Sequence, residues 1–132
     1  MLLARLEFDN DQFNAASDAY AQAVLVAPKV ARDPAVWCEY ADALAMAQSG
    51  VLAGKPRELI AHALALDATH HNALEMAGSA AFEAAEYATA ARYWRELQGR
   101  LDGADPTRAE LTAAIDRAER RASTMLPPPR SP

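Results

Sequence analysis

Pro56, Ile60 and Ala63 in "PRELIAHALALD" stand 34 residues before Ala90, Trp94 and Leu97 in "EYATAARYWREL". An earlier stretch, "DQFNAASDAYAQAV", sets Phe13, Ala16, Tyr20 and Ala23 at spacings of three, four and three, the spacings of Tyr87, Ala90, Trp94 and Leu97. Such spacings mark one face of a helix. A helix face that returns at a fixed interval restricts the chain to a repeat architecture, in which each unit buries its apolar side against the next.

The upstream half of each unit is a second helix. "WCEYADAL" places Trp37, Tyr40, Ala41 and Leu44 in the W-x2-L-G-x2-Y spacing, and "LEMAGSAA" puts Leu74, Ala77, Gly78 and Ala81 in the same slots 37 residues on. The three extra residues fall in "SGVLAGK", Ser49 to Lys55. Thirty-four residues is the tetratricopeptide period. The expected fold is all-α, a right-handed solenoid of about three helix pairs closed by a C-terminal capping helix.

Seven helices are expected, beginning with Met1 to Asn10 and Gln12 to Ala27, the second ended by Pro28. Asp33 before Pro34 is an N-cap with proline at the first helical position, opening a helix to about Gln48 that Ser49-Gly50 stops. Pro56 opens the next, His71 to Ala84 and Tyr87 to Leu101 form the third pair, and Asp105-Pro106 starts the last. Leu111, Ile115, Ala118 and Ala122 stripe that last helix, which caps the final apolar face. The domain is expected over residues 1–122, its first helix truncated, with residues 123–132 a disordered proline-rich tail.

Ala16, Ala41, Gly78 and Ala90 let paired helices approach closely, and Tyr20, Ile60 and Trp94 fill the spaces between pairs. Tyr87, Ala90, Trp94 and Leu97 are therefore assigned to core. At 132 residues and 52% hydrophobic the chain suits one domain, and a net charge of -5 argues against a nucleic-acid surface. Cys38 is the lone cysteine and has no intramolecular partner for a disulfide. No signal peptide is legible at "MLLARLEFDND", and no run approaches transmembrane length.

The run from Tyr40 to Trp94 resembles the tetratricopeptide domain of cytochrome c biogenesis factors of the CcmI, CycH or NrfG type. The marks are "YADALAMAQ", the long loop "SGVLAGKP", "ALALD" followed by "HHNAL", and "AGSAAFEAAEYATAARYW". The likeness extends from about Leu3 to Arg121. Family members usually carry proline where this chain has Ala68, and often glycine where it has Ala85. The resemblance implies a non-catalytic module that holds apocytochrome c through its C-terminal helical segment and presents it to the haem-ligation complex. It also implies a periplasmic location within an inner-membrane-anchored parent carrying two membrane-spanning segments ahead of this domain. A cytoplasmic scaffold is the alternative if Met1 is the native start.

Tetratricopeptide stacks line their concave groove with the first helix of each pair, at positions one, five and eight after the Trp slot. This selects Cys38, Asp42 and Ala45 with Met46, then Glu75, Ser79 and Phe82 with Glu83, and Arg5, Phe8 and Asp9 from the first helix. Acidic and apolar residues mixed in this way suit an amphipathic helix with basic flanks. Chaperone-tail binders need basic inward positions instead, so a generic peptide scaffold is the alternative function.

His70, His71 and Glu75, with His62 on the preceding helix, invite a metal reading, but two ligands one turn apart do not make a site. Cys38 has no base at a recognisable spacing, Met46 has no C-x-x-C-H partner run for haem, and no phosphate loop is present. No cofactor, metal, nucleic acid or membrane contact is expected, and an enzyme is the minority hypothesis.

Overall fold

The computed structural model describes the backbone of residues 2–125 and the side chains of residues 12–125. Every regular element in it is a helix: α1 Leu2–Val26, α2 Pro28–Ala31, α3 Pro34–Ala47, α4 Lys55–Leu66, α5 His71–Glu83, α6 Tyr87–Arg100 and α7 Thr107–Met125. Each of α3 to α7 packs on its sequence neighbour, α1 packs on α3, and α3 also touches α5. That order is a tetratricopeptide-type helical stack, as the period requires.

Expected and observed helix ends agree from α3 onward because the capping chemistry is local. The Asp33 side chain accepts from the Ala35 amide at 3.0 Å, with Pro34 in the first turn of α3. Asp105 accepts from the Thr107 amide at 2.9 Å to start α7. His70 Nδ1 accepts from the Ala73 amide at 3.3 Å at the head of α5, so the residue that invited a metal reading is an N-cap. Asp67 accepts from both the amide and the hydroxyl of Thr69, at 2.9 and 2.7 Å, and these bonds hold its carboxyl below the usual range. They shape the turn around Ala68 between α4 and α5.

The first unit corrects one boundary. No turn interrupts the chain at Asn10–Asp11; α1 runs on for 25 residues. Asp9, Asn10 and Asp11 are weak helix formers, each costing up to about 0.7 kcal/mol relative to alanine, but neither proline nor glycine is present to break the ladder. The break comes at Pro28, which opens the single-turn α2. At the other end α7 includes Ser123 to Met125, so the expected tail boundary shifts; the rest of that tail, 126–132, lies outside the described residues.

The core is continuous from α3 to α7. Ala41, Leu59, Ile60, Ala77 and Ala80 join α3, α4 and α5, and Leu74, Ala81, Ala90, Ala91, Trp94, Leu97, Leu111, Ile115 and Ala118 join α5, α6 and α7. Tyr87 packs against the second cluster, so the Tyr87, Ala90, Trp94 and Leu97 face is core. Helices α5 and α6 approach closely at Gly78. A Cβ at Gly78 would stand 2.5 Å from Trp94 Cδ1 and 2.6 Å from Cε2, closer than packed carbons come.

Gly78→Ala therefore lowers stability by about 1 to 3 kcal/mol through overpacking, and Trp94→Ala by about 3 to 5 kcal/mol through the cavity it leaves. The opposite sign is expected at Ala85, held at φ 62° in the turn before α6. Relieving that left-handed conformation, Ala85→Gly raises stability by up to about 1 kcal/mol. Urea unfolding of the three variants checks all three signs.

Candidate peptide-binding groove

Two helices set the groove. Helices α3 and α5 lie side by side, and an open hollow of about 380 Å³ runs between them. From α3 come Cys38, Asp42, Ala45 and Met46; from α5 come Glu75 and Ser79. Six residues read from helix phase thus meet in one place. Asp42, Met46 and Glu75 are exposed, Ser79 is half-buried, and Ala45 and Cys38 are buried in the floor.

Cys38 has no exposed surface. Its Sγ lies 3.9 Å from His70 Nδ1, and burial pushes the thiol pKa up to about 11, with Glu39 and Asp33 adding in the same direction. A thiol held neutral in a packed floor is spacing material. His62, the other histidine considered for a metal, has its ring 3.8 Å from that of Trp37. Among the described residues no group of three His, Cys, Asp or Glu side chains converges to hold a metal ion.

Phe82 and Glu83 sit at the far end of α5 and do not line this hollow. Phe82 packs edge-on to Tyr87 at 5.0 Å and beside Trp94 at 5.9 Å, and the Arg121 guanidinium lies over its ring at 5.1 Å. Glu83 has a structural task. Its carboxylate accepts from the Leu52 amide at 3.0 Å and the Ala53 amide at 3.2 Å, tying the α3–α4 loop to α5. Gly50 and Leu52 from that loop wall one side of the hollow. Glu83 therefore acts on the groove through the loop. Arg5, Phe8 and Asp9 belong to α1, and their side chains lie outside the described residues.

Glu39, Asn72 and Met76 also line the hollow and were not selected from the sequence. They are neighbours, by one or three positions, of selected residues. A helix presents an arc rather than a line, and widening each chosen position by one residue and one turn finds them. Leu52 has no such signal, because only the fold of the long loop delivers it.

A stack of paired helices with an open hollow lined by acidic and apolar side chains is the architecture of a helical-repeat protein-interaction module. The chain matches the family described as the cytochrome c-type biogenesis protein H TPR domain over residues 1–108, and it belongs to that family. No curated protein and no solved structure matches it at a significant level. Family membership gives the domain a protein-interaction role in c-type cytochrome maturation. Among the described residues, no helix is long and apolar enough to cross a membrane.

Two outcomes test this geometry. Glu83→Ala speeds hydrogen exchange of the Leu52 and Ala53 amides by about tenfold, the loss expected for charge-assisted bonds partly open to water. A thiol reagent at neutral pH leaves Cys38 unmodified in the folded protein and labels it fully in urea.

Proposed function

We propose that the α3–α5 groove holds the C-terminal helical segment of an apocytochrome c polypeptide for delivery to the haem-ligation complex. The observation that carries this reading is the pairing of Asp42 and Glu75, from two helices, over one hollow whose apolar surface comes from Met46, Leu52 and Met76. An amphipathic helix bearing lysines beside an apolar stripe complements such a surface in both respects. Methionines adapt to differently shaped side chains, which suits a holder of several related polypeptides.

The domain is non-catalytic and needs no cofactor. It works on the periplasmic side as part of a membrane-anchored parent, in keeping with its family, and its other partners are subunits of the haem-ligation complex.

Exposed charges mainly raise association rate and selectivity, so binding weakens with salt without vanishing. Calorimetric titration with an apocytochrome C-terminal peptide is the test. Reversing Asp42 and Glu75 to lysine weakens binding by about tenfold or more and leaves the melting temperature nearly unchanged, because both side chains are exposed. Equal affinities would remove the acidic groove from the mechanism. A folded wild type that binds no such peptide would move the assignment to a scaffold for other proteins.

A further inference from the structure

A second hollow, of about 180 Å³, lies on the other side of α5, where Thr107, Glu110 and Ala114 of α7 face Glu75 and Ser79 above Trp94. Glu75 and Ser79 line both hollows. Helix α5 is therefore a ridge between two compartments of one surface, and its height is fixed from beneath by Trp94 against Gly78.

Glu110 adds a fourth exposed carboxylate to Glu39, Asp42 and Glu75. Among the described residues none of the four is paired with a lysine or arginine, and Glu39 accepts from the Tyr20 hydroxyl at 3.2 Å. The lining is poor in donors: Asn72, Ser79 and Thr107 supply them, while the Trp94 indole N–H is committed to the Glu75 carbonyl at 3.3 Å. An extended peptide would bring a row of carbonyls that such a lining leaves unsatisfied. A helix brings its backbone already paired and asks only for side-chain room and opposite charge.

Packed helix axes stand about 8–10 Å apart, so the two compartments are separated by about that distance. Two turns of a ligand helix, seven residues at 1.5 Å each, span about 10 Å. We infer that the groove is bipartite and selects a helix with two apolar anchors seven residues apart, one on each side of α5, and basic residues between them over Glu75. The inference rests on the reading above that this face holds a helical peptide, and it makes α7 a wall of the binding site.

The test uses the whole chain and two synthetic amphipathic helical peptides, with lysines between leucines at positions i and i+7 in one and serine replacing the second leucine in the other. Ala114→Trp fills the second compartment and Glu110→Lys removes its charge; neither position is buried. Each is expected to weaken the two-leucine peptide by about tenfold and to change the one-leucine peptide much less. Glu110→Lys carries the test alone if the tryptophan disturbs folding. If both variants bind the two-leucine peptide as wild type does, while the Asp42 and Glu75 reversal still weakens it, the groove ends at α5 and the inference falls with the functional reading intact. Equal losses for both peptides would also overturn it. If wild type binds neither peptide nor the apocytochrome segment, the functional reading fails with it.

Discussion

The seating of Trp94 on Gly78 is the contact from which the working surface takes its shape. A bare Cα on α5 lets the indole lie directly against the helix backbone, and the indole N–H reaches the Glu75 carbonyl at 3.3 Å. Trp94 belongs to the buried cluster that includes Leu74 and Ala81 of α5 and Leu111 and Ile115 of α7, so that cluster joins three helices. Glu75 and Ser79, on either side of the contact in sequence, are the residues that look outward. What holds the core and what presents the groove are neighbouring faces of one turn of helix.

The loop after α3 is organised on the same economy. Ser49 and Gly50 take positive φ, the Gly50 amide returns to the Ala45 carbonyl at 2.8 Å, and Glu83 gathers the next two free amides. A second cross-link, the two-pronged Arg57–Glu86 pair at 2.7 and 2.8 Å, fastens α4 to the turn before α6. Carboxylates at the end of α5 thus hold neighbouring units in register. Asp42, Glu75 and Glu110, which line the two hollows, have no lysine or arginine partner among the described residues.

Helix phase was the legible part. The spacings at Trp37, Leu74 and Trp94 gave the stack, and Asp-Pro and Pro starts placed α3, α4 and α7 within one or two residues, because both signals act over a single turn. The continuity of α1 through Asn10 and Asp11 was illegible, since Asp and Asn clusters stop a helix only when tertiary contacts favour a turn. Cys38, Asp42, Met46, Glu75 and Ser79 were found as neighbours because rotation about a helix axis follows from sequence number. Glu83 shares that phase but was out of reach: its partners are amides of a distant loop, and no side-chain pattern encodes where loop amides point.

The stack is linear, and α7 rests on α6 with only slight contact elsewhere, whereas α3 is held by α1, α4 and α5. Stability in such an array is a chain of neighbour interfaces, and openings begin at the ends. The hollow beside α7, walled by a helix that packs chiefly on α6, opens more readily than the hollow beside α3, which α1, α4 and α5 hold in place. A ligand spanning both would leave in two strokes, first from the hollow beside α7 and then from the hollow beside α3.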